Sequence, residues 1–186
     1  MNTRIFNELD HRLSVVKRWA ILHTVQTQSV AEHIFNVERI LYQIADAWFC
    51  LDDTATAKLL KAAHFHEEEE ALSGDLPSMV KPYFDTSEFI QHHSDSLTYS
   101  NVLSDLGYLG TILKLADKME GYRFLCMEER LGNQYIKNHL DDEYEIIVKF
   151  AVVFSPAVLE ALEEWMVKQR KVESTRFNRA SNGKIR

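Results

Sequence analysis

The sequence predicts a single all-α domain, a bundle of about six to eight helices, and three observations support this. The 186 residues include only three prolines and six glycines, little material for the many tight turns of a β-rich fold. Apolar residues recur at three- and four-residue steps through most of the chain, the spacing that lines one face of a helix. Helix start and stop signals separate the segments so defined. A chain of this length supplies one sizeable core and is short for two. Residues 1–172 are therefore read as one domain, followed by a polar, basic tail over 173–186.

Taken in order, Ile5, Phe6, Leu9, Leu13 and Val16 predict a helix over 3–18, and its closing Lys17-Arg18 suits the negative end of the helix dipole. "LHTVQTQ" reads as a connector. Ser29 and Glu32 form a Ser-x-x-Glu capping box, which starts a second helix that runs to about Phe49. Asp53 or Thr54 caps the next helix, which continues to about Glu70 until "SGD" stops it. A short helix is expected near Pro77, and residues 85–100 form a polar, histidine-containing segment without a clear assignment. A long helical pattern spans about 101–131 and closes at Gly132-Asn133. "YEIIVKFAVVF" suits a buried strand or a buried helix equally well. Ser155-Pro156, an N-cap followed by proline at the first helical position, then opens a last helix through about Val172.

Charge and composition narrow the functions. A net charge of -7 argues against binding a nucleic-acid polymer or an anionic membrane surface, since either needs a concentrated basic face. A small anionic substrate in a local basic pocket stays compatible with it. The segment "MNTRIFNELDHRL" lacks the apolar core of a secretion signal, and no run approaches the roughly 20 apolar residues of a membrane span, so a cytoplasmic protein is expected. Cys50 and Cys126 stand far apart without a CxxC pattern and read as buried free thiols.

The stretch "HFHEEEEALSGDLP" concentrates histidines and carboxylates. If the helix continues to Glu70, then His66, Glu67 and Glu70 share one side of its end, while Glu68 and Glu69 point to solvent. Carboxylates at a helix C-terminus oppose its dipole, so a compensating cation is expected, and a metal is one candidate. Two residues elsewhere fit such a site. His33 occupies the first turn of the capped helix, where a plain surface or half-buried histidine is the alternative. Asp117 interrupts the apolar stripe of Leu106, Leu109, Leu113 and Phe124. A buried ionised carboxylate is costly unless it binds metal or pairs with a nearby arginine or lysine.

These residues, in the order "AEH", "HE" with Glu70 and "SGDLP", then "LADK", resemble the HD-domain phosphohydrolases, in particular their 5'-deoxynucleotidase branch, over roughly residues 12–135. The resemblance implies an HD-type helical bundle with one divalent metal (Mn2+, Co2+, Zn2+ or Mg2+) held by His33, His66, Glu67 and Asp117. Glu67 departs from the family pattern, which has aspartate there. Its extra methylene moves the carboxylate outward, so either the helix end shifts or the metal does. Glu70 would be the general acid/base that handles the proton of the attacking water or of the leaving 5'-oxygen. Asp75 resembles the residue that hydrogen-bonds the sugar 3'-hydroxyl, although it also reads as an N-cap ahead of Pro77. Arg18 and Trp19 match a pair in which arginine contacts phosphate and tryptophan disfavours a 2'-hydroxyl. His64 faces away from His66 and reads as a core or supporting histidine. His92 and His93 bear on a second metal, but a single site fits better.

The implied activity is hydrolysis of a 2'-deoxynucleotide, foremost a 5'-monophosphate, to deoxynucleoside and phosphate. A close alternative is a deoxynucleoside triphosphate triphosphohydrolase of the dATP type, for which Lys81 and Lys114 are candidate phosphate contacts. A degenerate HD domain that binds nucleotide or protein without catalysis is the alternative from another class, motivated by Glu67. The branch also implies a homo-oligomer, a dimer or larger.

Overall fold

The structure is a computed structural model that describes residues 8–76, 83, 87–93 and 106–171. Among these residues the chain forms helices α1 (Glu8–Leu13), α2 (Val30–Ala47), α3 (Asp53–Phe65), α4 (Glu70–Ser73), α5 (Ser87–His93), α6 (Tyr108–Arg130), α7 (Lys137–Ala151) and α8 (Pro156–Lys171). A 3-10 turn, Gln134–Ile136, leads into α7. The architecture is all-α, as the periodicity predicts, and the ambiguous "YEIIVKFAVVF" lies mostly within α7.

Local signals explain the boundaries. The Ser29 hydroxyl accepts from the Glu32 backbone N–H at 3.2 Å, and the Glu32 carboxylate accepts from the Ser29 N–H at 2.7 Å, so the predicted capping box opens α2. The cap of α3 is Asp52, one residue earlier than expected, whose carboxylate accepts from the Ala55 N–H at 2.7 Å. Gly132, at φ +88°, takes the left-handed backbone that stops the chain after α6. The N-terminal helix is shorter than predicted. It ends at Leu13, and Lys17 instead forms an isolated antiparallel bridge with Ser29. The helix expected near Pro77 and the basic tail lie outside the described residues.

Helix α6 is the hub and packs against α2, α3, α7 and α8. Its buried residues, among them Ile112, Leu115, Met119, Tyr122 and Leu125, surround most of its axis, as befits a central helix. Truncating a fully buried one such as Leu115 to alanine would cost about 2–5 kcal/mol. A second, smaller cluster joins Leu9 and Leu13 of α1, Val30 and Ile34 of α2 and Ala71 of α4. This cluster holds the first turn of α2 together with the start of α4. It thereby brings His33 and the 66–70 segment together from separate parts of the chain.

Candidate metal and substrate site

The buried face of α2 carries Val30, His33, Ile34, Val37, Ile40, Leu41 and Ile44, so the helix that builds the core also sinks His33 to 0% exposure. Helix α3 stops at Phe65, and His66 is its C-cap. The chain then tightens: the Glu68 N–H bonds Phe65 O at 3.2 Å, Glu70 N–H bonds Glu67 O at 3.0 Å, and Ala71 N–H bonds Glu68 O at 3.2 Å. These three-residue steps replace the expected uninterrupted helix and turn His66, Glu67, Glu68 and Glu70 all inward as buried residues. The reading of Glu68 as a solvated surface carboxylate is thereby corrected. His64 is corrected too, because it is exposed and pairs with Glu38 at 2.9 Å. Of the two cysteines, Cys126 is buried as expected and Cys50 is exposed.

One ligand atom each from His33, His66, Glu67 and Asp117 lies within 4.8 Å of the other three. The extra methylene of Glu67 does not remove its carboxylate from the group. Both imidazoles are oriented by their outer nitrogens. His33 Nδ1 lies 2.7 Å from Glu120 Oε2, and His66 Nδ1 lies 2.6 Å from the Ala63 carbonyl oxygen. These acceptors keep the proton on Nδ1 and turn each Nε2 toward the cluster. Both Nε2 atoms are buried, and their nearest polar neighbours are carboxylates of the same cluster, Asp117 Oδ1 at 3.1 Å from His33 Nε2 and Glu67 Oε1 at 3.8 Å from His66 Nε2. Two inward nitrogen lone pairs beside two carboxylates are a donor set that fits a divalent transition metal.

Asp117 is less secluded than its apolar stripe suggests, with its side chain 32% exposed. Its Oδ1 stands 3.1 Å from His33 Nε2 and 3.8 Å from Arg18 Nη1, so the arginine pairing and a place in the ligand cluster occur together. Burial pushes its carboxyl up, but His33, Arg18 and His66 outweigh that and hold it well below the usual carboxylate range. Burial likewise lowers His66, which keeps that imidazole neutral. In His33, burial and the Arg18 charge act downward, and the carboxylates of Asp117 and Glu120 outweigh them, so its pKa is raised. Burial also works against the Arg18 charge, yet Asp117, Glu67, Glu120 and Asp75 hold it firmly protonated.

The segment after α1 builds the other side of the site. Val30 N–H bonds Val16 O at 2.9 Å and Arg18 N–H bonds Gln28 O at 2.9 Å, which lays residues 16–18 along the entry to α2. Trp19 then adopts φ +62°, a left-handed conformation that costs a bulky residue about 1–3 kcal/mol. Its backbone N–H donates to Asp75 Oδ2 at 3.1 Å and its indole N–H to Gln28 Oε1 at 3.1 Å. The indole stacks on Phe124 with centroids 5.5 Å apart, and a Cβ on Gly121 would meet its edge at 3.5 Å. The Arg18 guanidinium lies 5.6 Å from the Trp19 ring centroid. Asp75 thus caps the Trp19 amide; its suggested capping of a helix at Pro77 falls outside the described residues, as do Lys81 and the His93 side chain. His92 is exposed in α5 and is not in the ligand cluster.

A match to the family described as 5'-deoxynucleotidase YfbR-like covers residues 5–93. A 5'-deoxynucleotidase of Shewanella oneidensis is 27% identical over 176 residues, 91% of this chain and 76% of the relative. The chain is thus similar to the YfbR-like 5'-deoxynucleotidases, most clearly over residues 5–93. A 5'-deoxynucleotidase of Erwinia tasmaniensis is 32% identical over 75 residues, 39% of this chain and 37% of that relative. The fold matches a cyanophage S-2L HD phosphohydrolase, solved with dA and one catalytic Zn2+, at a TM-score of 0.68 and 19% identity, covering 89% of this chain and 96% of that one. A Pyrococcus horikoshii protein matches at a TM-score of 0.67 and 20% identity, over 89% and 96% of the two chains.

Three polar residues of the site carry no motif. Glu120, 1% exposed, lies three residues after Asp117 on the same side of α6, and Gln28, 6% exposed, donates to Glu120 Oε1 at 2.8 Å. Glu128, fully buried, accepts from the backbone N–H groups of Val25 at 2.6 Å and Gln26 at 2.8 Å and so anchors the connector that carries Gln28. No sequence signal marks the two glutamates, because α6 carries charged residues along its length, among them Lys114, Lys118 and Arg123.

Proposed function

We propose that the chain is a metal-dependent phosphohydrolase of 2'-deoxynucleotides that releases phosphate from a 5'-deoxyribonucleoside monophosphate. The observation that carries this reading is the grouping of the buried His33 and His66 imidazoles with the Glu67 and Asp117 carboxylates, one ligand atom from each within 4.8 Å of the others. These four residues would hold the metal. A divalent cation there supplies Lewis acidity: it lowers the pKa of a water and neutralises charge on phosphate oxygens.

The remaining steps belong to the chain's own side chains. Arg18, held protonated beside Asp117, binds and orients the phosphate. Glu70, buried at the start of α4 and tied through its backbone to Glu67, exchanges the proton of the attacking water or the leaving 5'-oxygen. Asp75 accepts a hydrogen bond from the 3'-hydroxyl with the carboxylate that also fixes the Trp19 amide. The Trp19 indole, immobilised by Phe124 and Gln28, forms the wall that a 2'-hydroxyl would strike. A homo-oligomer also fits, since Phe35 and Tyr42, seven residues apart on α2, are exposed aromatic residues.

Product analysis of a nucleotide panel tests the activity. Inorganic phosphate from deoxynucleoside monophosphates supports this reading. Release of triphosphate from deoxynucleoside triphosphates alone would replace it with the triphosphohydrolase reading.

A further inference from the structure

We propose that Gln28 and Glu120 are positioning residues that join the metal ligand His33 to the Trp19 wall in one hydrogen-bonded relay. The inference rests on the proposed function for the meaning of its two ends. The relay runs from the Trp19 indole N–H to Gln28 Oε1 at 3.1 Å, and from Gln28 Nε2 to Glu120 Oε1 at 2.8 Å. It closes from His33 Nδ1 to Glu120 Oε2 at 2.7 Å.

Chemistry leaves this arrangement one sense. An indole N–H only donates and a carboxylate only accepts, so the Gln28 amide must present its oxygen to Trp19 and its nitrogen to Glu120. The Gln28 amide is thereby locked against flipping. Glu120 accepts in turn from Gln28, from Asn36 Nδ2 at 3.2 Å and from the His33 ring, with Arg123 Nη2 at 3.8 Å. A carboxylate buried to 1% exposure cannot exchange these partners for water at low cost. Gln28 and Asn36 donate to its Oε1 and the His33 ring meets its Oε2, so it acts as an acceptor at both oxygens. A change in the demand of His33 on Oε2 is therefore felt at Oε1, and through Gln28 at the indole. The two ends lie in different segments, and at the left-handed Trp19 the Phe124 stack fixes the tilt of the ring while the Gln28 bond fixes rotation within it.

The test reads the indole directly and needs no turnover. The full chain is labelled with 15N at its tryptophan indoles, and the Trp19 Nε1–H resonance is assigned by its loss in Trp19→Phe. In the wild type, Zn2+, which is diamagnetic, should shift this resonance. In Gln28→Ala, Zn2+ should still bind in chelator competition, while the Trp19 shift collapses and the indole proton exchanges faster with solvent. Glu120→Gln should weaken Zn2+ about 10- to 100-fold, the size of a lost partner to a metal-ligating imidazole. If Glu120→Gln fails to fold, the Gln28→Ala spectra decide alone. An equal Zn2+-induced shift in wild type and Gln28→Ala, or no shift in the wild type, would overturn the relay. A wild type that shows the shift yet hydrolyses no deoxynucleotide would overturn the proposed function and leave the relay standing.

Discussion

The Asp75 carboxylate accepts a hydrogen bond from the Trp19 backbone N–H at 3.1 Å, across 56 residues of sequence, and Trp19 is a non-glycine residue at positive φ. The carboxylate proposed to bind the sugar thus also holds the wall proposed to select it. Asp75→Ala should reduce kcat/KM for deoxynucleotides by the equivalent of about 1.5–3 kcal/mol, the size of a hydrogen bond to a charged group, and should also relax selection between sugars. Trp19→Ala should admit ribonucleotides while keeping part of the deoxynucleotide activity. Steady-state kinetics on matched dAMP and AMP check both. Unchanged selectivity in Asp75→Ala would separate the two roles.

Glu67 reaches the ligand cluster with its longer side chain from the tightened turn that follows Phe65. His66→Ala or Asp117→Ala should abolish metal retention. Glu67→Asp, although it restores the family's usual residue, should weaken retention, since it withdraws the carboxylate by about one C–C bond from a shell that tolerates about 0.2 Å. Metal analysis after gel filtration measures this, and full metal content in His66→Ala and Asp117→Ala would contradict the ligand assignment.

Glu70 is buried beside the site but is not one of the four clustered donors. Glu70→Ala should keep the metal and lose about 10²- to 10⁴-fold in rate, the usual contribution of a general acid/base. Single-turnover rates together with metal content check this. Unchanged turnover would remove Glu70 from the mechanism.

The two cysteines should differ sharply. Burial pushes the Cys126 thiol up to about 11, so its thiolate fraction at pH 8 is about one in a thousand, and the side chain is also shut off from reagent. Cys50 is exposed after the C-terminus of α2. A disulfide-exchange reagent at pH 8 should titrate one thiol per native chain and the second only after denaturation. Rapid reaction of both in the native protein would contradict the packing around α6.

Much of this arrangement was legible because its signals are local. The Ser29–Glu32 box is a four-residue pattern, and it alone places His33 one turn into α2. The family motif supplied His66, Glu67, Glu70, Asp75 and Asp117 by residue type and order. The break after Phe65 was not legible, because a run of glutamates continues a helix as well as it ends one. It is the packing of α1 against α4 that turns Glu68 and Glu70 inward. Cys50 was misplaced because its residue type suggests burial on average, and His64 because facing away from His66 does not by itself place a side chain in the core; the position of each on its element decides it. Gln28 and Glu120 were out of reach, since their hydrogen bond joins residues 92 apart and neither stands in a motif.

The central claim, a phosphohydrolase that depends on the metal held by His33, His66, Glu67 and Asp117, is tested most directly by phosphate release from dAMP. Chelator-stripped protein should release none, and stoichiometric Mn2+, Co2+, Zn2+ or Mg2+ should restore release in the wild type but not in Asp117→Ala. Equal phosphate release with and without metal, or full restoration in Asp117→Ala, would contradict it.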